Sequence, residues 1–240
     1  MSNHQLLTFG QADELAHAVA NAWLDEIELA HRMGTGHNVA LSGGRIAQKF
    51  FDATVAEARR RGVTFGGVHF FWADERCVPP DDPESNYRLA AELLFGPLQM
   101  APGQIHRIRG EDAPETAAAA AEADLRKVLC KNREGRPVLD LVLLSMGEDG
   151  HVASLFPPPP AKKIDSHVSF LVVRDSPKPP PTRISLSYQA IMDANRRWVL
   201  VSGAAKAGAL RESLTRTGKT PLGRLIAACP VKIFTNLPQF

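Results

Sequence analysis

Strand-length apolar runs alternate with helical stretches along this chain, and that alternation constrains the fold more than any other feature of the sequence. Residues 38–41 form a short apolar strand that runs into Ser42-Gly43-Gly44, and residues 46–61 follow with Phe50, Phe51 and Ala58 on one helical face. An aromatic strand over 67–73 precedes a helix that begins near Ser85 and carries Leu89, Leu93 and Leu94. Further strands are expected over 105–108, 138–145, 168–173, 183–187, 198–202 and 231–234, and helices over 188–193 and 204–215. The five consecutive alanines within 114–130 mark another helix. At the start, Thr8 followed by Gln11 matches a capping box, and Leu15, Val19, Trp23, Ile27 and Ala30 recur at helical spacing until Gly34. Such a chain builds an α/β fold with a mostly parallel sheet covered on both faces. No repeat or compositional break interrupts it, so residues 1–240 are expected to form one domain.

In an open α/β sheet the ligand crevice lies beyond the carboxyl ends of the strands, so polar residues directly after a strand are site candidates. The run 138–157 is the clearest case. Its strand stops at Gly147, and Glu148, Asp149 and His151 follow among flexible residues, which lets Asp149 and His151 turn towards a common point. Ser42-Gly43-Gly44 joins a strand to a helix, where free N–H groups and the helix dipole attract a phosphate. Asp74-Glu75-Arg76 directly follows the aromatic strand, and Arg76 offers a planar fork to an oxyanion if a carboxylate holds it. Lys206 sits at the start of a helix, against the dipole, where a bound anion would compensate it. Thr182, Arg183 and Ser185 read as alternating polar residues on a half-exposed strand, and Arg183 is also a binding candidate. His69 and Cys77 read as packed residues. The proline clusters 157–160 and 177–181 read as surface connections, a lid or rim.

Composition removes several function classes. A net charge of +2 with basic residues spread along the chain gives no nucleic-acid footprint, and the one tight cluster, Arg59-Arg60-Arg61, falls where a helix ends. No apolar segment approaches the roughly 18 residues of a membrane span, and residues 1–16 lack the pattern of a secretory leader. Three widely spaced cysteines fit a reducing cytoplasm. With neither HExxH nor paired CxxC, no metal and no cofactor are expected.

Taken together, LSGG at 41–44, FWADERCVPPDDPESNY at 71–87 and GEDGHVASLFP at 147–157 resemble the 6-phosphogluconolactonases in order and spacing, over nearly the whole chain. The resemblance implies a Rossmann-like three-layer sandwich of the kind shared by glucosamine-6-phosphate deaminase and ribose-5-phosphate isomerase. It also implies hydrolysis of a sugar-phosphate lactone in the oxidative pentose phosphate pathway. On this resemblance His151 is the general base, Asp149 its partner and Arg76 a donor to the developing oxyanion, with Ser42, Gly43, Gly44, Arg45, Asp74, Arg183 and Lys206 around the substrate and its phosphate. A sugar-phosphate isomerase or deaminase and a non-catalytic sugar-phosphate sensor are the alternatives. Against the deaminases, this chain has Arg76 after Asp-Glu and carries Ala153-Ser154-Leu155-Phe156-Pro157 where they place a second acid. One departure from the family stands out: Arg45-Ile46-Ala47 replaces the usual Ser-Thr-Pro, so Arg45 either offers a guanidinium to the phosphate or points away. A small-molecule partner is expected, neither nucleic acid nor membrane, with a monomer as the default and a dimer as the alternative.

Overall fold

The computed structural model describes residues 3–157, 167–215 and 217–237. In chain order the first half contains β1 (His4–Thr8), α1 (Ala12–Arg32), β2 (His37–Leu41), α2 (Arg45–Arg61), β3 (Val68–Trp72), β4 (Asp74–Arg76), α3 (Asn86–Ala90) and α4 (Gly96–Leu98). The second half contains α5 (Pro114–Val128), β5 (Leu141–Ser145), β6 (Phe170–Val173), β7 (Arg183–Leu186), α6 (Tyr188–Asp193), β8 (Arg196–Val201), α7 (Ala207–Ser213), α8 (Pro221–Ala228) and β9 (Val231–Thr235).

Six strands form one sheet in the order β1-β9-β8-β5-β2-β3, and every pair in it is parallel. Successive residues of a strand point to opposite faces, and Val39, Ala40 and Leu41 of β2, like Leu141 to Leu144 of β5, are all buried. Both faces of the sheet are therefore covered, as the alternation of elements requires. Between α1 and α2, Trp23 packs on Phe50 with ring centroids 5.5 Å apart and on Phe65 at 5.7 Å. One of the three arginines that close α2 serves this packing. Arg61 reaches Asp25 and Glu28 of α1, each at 2.7 Å.

The chain moves outward from β2 to β3 in one direction and from β5 to β8 and β9 in the other, so the order reverses between β2 and β5. The crevice beyond the carboxyl ends of those two strands is where such a sheet takes a ligand. Ser145 Oγ at the end of β5 donates to the Gly43 carbonyl after β2 at 2.9 Å, which fixes the spacing of the two ends.

Several expectations are corrected. Thr8 belongs to β1, and α1 is capped instead by Glu14, whose Oε2 accepts from Gly10 N at 2.8 Å and Gln11 N at 3.3 Å. Of the strand expected over 105–108, Ile105 alone bridges to Phe70, because the chain turns away at Gly110, where a side chain would meet the Arg76 carbonyl at 2.3 Å. Asp74-Glu75-Arg76, expected only to follow the aromatic strand, forms a strand of its own and pairs with β7 in a second, antiparallel sheet ordered β4-β7-β6. β7 is buried along its whole length, not half-exposed, because it is the middle strand and α5 packs against it. β1 and α8 were not anticipated. Residues 158–160 of the first proline cluster lie outside the described residues. No helix among the described residues is long and apolar enough to cross a membrane.

Candidate active site

The crevice opens as a cleft of about 450 Å³. Of the ten residues singled out from the sequence, nine line it, and they come from five separate stretches. Ser42, Gly43, Gly44 and Arg45 enter from the end of β2, Asp74 and Arg76 from β4, and His151, Arg183 and Lys206 from the three later segments. Asp149 is the exception. It lies behind the imidazole, where it borders a second cavity with Thr220 and Arg224.

That position gives Asp149 its role. Its Oδ1 contacts His151 Nδ1 and accepts the His151 amide at 3.2 Å. Burial pushes the Asp149 carboxyl up, but the bond from the imidazole, the charge of that ring and the amide outweigh it and hold the group down at about 2. The carboxylate is thus ionised at neutral pH, and Nε2 is the ring nitrogen left for other chemistry. Local sterics place the ring. A Cβ on Gly147 would stand 2.0 Å from His151 Cε1, so the imidazole lies directly over that glycine. Gly150, with φ at 79°, completes the turn, and its carbonyl accepts Leu222 N at 3.1 Å. Thr220, at 2.7 Å from a Cβ built on Gly150, caps α8 by accepting Gly223 N at 3.0 Å. The unanticipated helix α8 is therefore the seat of the His151 turn, and Thr220-Pro221 was its signature in the sequence.

Around the Ser42 turn the arrangement suits an anion. Gly44, with φ at 100°, opens α2, whose first turn carries no acid and begins with Arg45. Gly43 has no room for a side chain, since a Cβ there would meet Asn86 Oδ1 at 1.9 Å. Ser42 Oγ is buried and makes no hydrogen bond to the protein, which an incoming acceptor would supply. Burial lowers the Lys206 pKa, the charges of Arg45 and Lys178 add to this, and only Glu148 opposes it. Arg45 is among the residues that line the cleft.

The middle of the cleft is braced by groups that sequence reasoning had only partly singled out. Glu75 is 2% exposed and accepts from the amides of Arg76 at 2.7 Å, Asn86 at 2.8 Å and Tyr87 at 2.7 Å. Burial pushes its carboxyl up to about 7 while those three amides pull it down. Glu75 thereby ties the first turn of α3 to β4, and Asn86 Nδ2 donates to the Asp74 carbonyl at 2.8 Å. Asp74 Oδ2 accepts from Ser154 Oγ at 2.7 Å. The carboxylate that holds Arg76 is Glu84, whose Oε2 is 3.3 Å from Nη1, while Arg76 Nε is buried without a protein partner. Arg183 is 4% exposed and donates through Nε and Nη2 to carbonyls of the 177–181 segment, which forms one rim of the cleft as expected. His69 is not simply packed: its Nδ1 shares a hydrogen bond of 2.9 Å with His106 Nε2. Among the described residues, no group of three or more His, Cys, Asp and Glu is placed to hold a metal ion.

Comparison with known proteins bears on the same stretches. A family model described as glucosamine-6-phosphate isomerases/6-phosphogluconolactonase matches residues 10–235. The 6-phosphogluconolactonase of Treponema pallidum is 39% identical over 168 residues, which span 70% of this chain and 68% of that one. The 6-phosphogluconolactonase of Streptomyces coelicolor is 33% identical over 221 residues, 90% of this chain and 84% of its own. The solved 6-phosphogluconolactonase of Trypanosoma brucei matches with a TM-score of 0.86 at 27% identity, covering 98% of this chain and 97% of that one.

Proposed function

This chain belongs to the glucosamine-6-phosphate isomerase/6-phosphogluconolactonase family, and we propose that it hydrolyses 6-phospho-D-glucono-1,5-lactone to 6-phospho-D-gluconate, a step of the oxidative pentose phosphate pathway. The observation that carries the reading is His151, backed by Asp149, on a cleft that Arg45, Lys206 and the Ser42 turn also line.

In this reading the ionised Asp149 holds the proton on Nδ1 and orients the ring, so that Nε2 takes a proton from water. The water oxygen bonds to the lactone carbonyl carbon, C1, and the carbonyl oxygen gains the negative charge. Arg76, with its unpartnered Nε, and backbone N–H groups face that charge, and each such donor is worth on the order of 10²–10³ in rate. Collapse of the intermediate breaks the bond between C1 and the ring oxygen, which receives the proton from the imidazolium. The product is the open-chain acid, and the histidine is returned neutral. No cofactor enters the scheme.

The phosphate is received by Ser42, Gly43, Gly44, Arg45 and Lys206, while Asp74 and Arg183 shape the middle of the cleft. A dianion held at that distance from the reacting carbon helps to position C1 for attack. We read residues 1–240 as one lactonase-like domain working as a monomer in the cytoplasm, a setting in keeping with three cysteines that are all free. The test is an assay on freshly made lactone, coupled to oxidation of the product, with spontaneous opening subtracted. Wild-type protein is expected to accelerate opening, and His151→Ala to lose most of that acceleration while still binding 6-phosphogluconate. Turnover by His151→Ala at the wild-type rate would reject the general-base role.

A further inference from the structure

The turn that follows His151 has a strained backbone. Ala153 takes φ at 50°, in the left-handed region that a side chain disfavours, and among the described residues Gln99 alone shares that conformation without being a glycine. Bonds on both sides hold it there. Val152 bridges to Met146 and to Leu155, and Leu155 N donates to the Val152 carbonyl at 3.0 Å. Ser154 is fastened to the small sheet, its amide donating to Ser185 Oγ at 3.1 Å and its hydroxyl to Asp74 Oδ2 at 2.7 Å. Strain kept in place by this many bonds points to something the turn delivers. What it delivers is Phe156.

The Phe156 ring lies against the imidazole of His151, with centroids 4.5 Å apart and planes tilted by 45°. The guanidinium of Arg183 stands over the same ring, 5.6 Å from its centroid. Arg183 is kept there by its bonds to the carbonyls of Lys178, Pro179 and Pro180. The charged side chains around the imidazole are Asp149 and Glu148 on its own turn, Arg183 on β7, and Asp74 and Arg76 on β4, while Arg224 of α8 borders the cavity behind Asp149. General-base chemistry adds a further charge. When Nε2 takes a proton the ring becomes a cation, with a fixed guanidinium already nearby. The face of an aromatic ring attracts a cation, more strongly where water is kept away. Phe156 is half-buried and touches both groups.

Resting on the lactonase reading above, we infer that Phe156 is a positioning residue for the general base: it holds the imidazole against Asp149 and stabilises the imidazolium that forms when Nε2 takes a proton from water. The role belongs to the electron-rich face of the ring as well as to its bulk.

The experiment replaces Phe156 with its mono-, di- and trifluorinated analogues, which keep the shape of the ring while draining charge from its face. Protonation of His151 is followed through its Cε1–H resonance in the full chain, and the same series is assayed on freshly made lactone across pH. A cation that loses its aromatic partner forms less readily. The His151 midpoint is therefore expected to fall stepwise, by about half a pH unit over the series, and the acid limb of kcat/KM to move down with it. Over the same series kcat should drop by up to about threefold, with 6-phosphogluconate binding and unfolding temperature near wild type. Phe156→Leu, apolar but without an aromatic face, should show the full shift and a further loss in kcat on the order of tenfold, because the imidazole is held less tightly. A His151 midpoint that stays put through the fluorinated series overturns the stabilising role. A kcat within about twofold of wild type in Phe156→Leu overturns the positioning role, since the expected loss is on the order of tenfold. Failure of the lactonase reading looks different, because the resonance would still shift while wild-type protein left spontaneous opening of the lactone unaltered.

Discussion

Gly147→Ala tests the geometry of the site through a single methyl group. Gly147 does not adopt the left-handed backbone conformation, so alanine is tolerated there by the main chain, and the whole penalty falls on what the new Cβ meets. It meets the imidazole of His151, at 2.0 Å from Cε1, 2.1 Å from Nδ1 and 2.8 Å from Nε2. Ordinary carbon contacts are about 3.5–4.0 Å, so the ring must retreat by roughly 1.5 Å or swing off the Asp149 carboxylate. A misplacement of about 1 Å can cost on the order of 10² in rate, and overpacking of this sort costs about 1–3 kcal/mol. The expected result in the coupled lactone assay is therefore a kcat lower by about 100-fold, approaching that of His151→Ala. Binding of 6-phosphogluconate should stay close to wild type, because the phosphate groups lie on other segments. Thermal unfolding should shift down by only a few degrees. A variant that is folded and turns over within about threefold of wild type would refute the placement of the ring, since the predicted loss is on the order of 10².

Lys206→Ala should weaken binding of 6-phosphogluconate by about tenfold or more while leaving gluconate nearly unaffected in calorimetry; equal losses for both ligands would remove Lys206 from the phosphate contacts. His37 provides a stability test away from the site. Burial lowers its pKa from 6.5 to about 4, and its Nε2 accepts the Trp23 indole N–H at 3.2 Å. The folded pKa lies below the unfolded one, so this contribution is complete above pH 6.5 and is lost as the pH falls towards 4, by about 3 kcal/mol in all. Urea unfolding of wild type against His37→Asn between pH 7.5 and 4 should show that excess loss in wild type alone.

All strands of the large sheet but β1 were legible because they are short apolar runs set between strongly patterned helices, and the residues at their carboxyl ends could be named for the same reason. In the small sheet β6 and β7 were read as strands, but β4 and the antiparallel pairing were not. Asp74-Glu75-Arg76 is too charged to resemble a strand, and it becomes one only because β7 pairs with it and because Glu75 is repaid by the three amides it accepts. Lys178 escaped notice since its carrier, a run of prolines, suggests an inert connection until Arg183 is seen to grip its carbonyls. Gly150 takes the positive φ expected of both glycines, whereas Gly147 does not: its lack of a side chain makes room for the ring of His151, and the sequence could not show that the ring would lie against one glycine and Thr220 against the other. Asp149 was assigned to the right partner but expected to face the same point as His151, whereas it lies behind the ring, a distinction that depends on which side of the imidazole the carboxylate takes.

The pairing of β1 with β9, from His4 against Val231 to Thr8 against Thr235, joins stretches at opposite ends of the polypeptide. The opening strand therefore stays unmatched until that distant stretch has folded beside it, and contacts of such long sequence separation form slowly. The helix on which the turn bearing the imidazole rests directly precedes β9. Closing the β1 edge of the sheet and seating the imidazole thus depend on neighbouring segments, so the site matures late in folding.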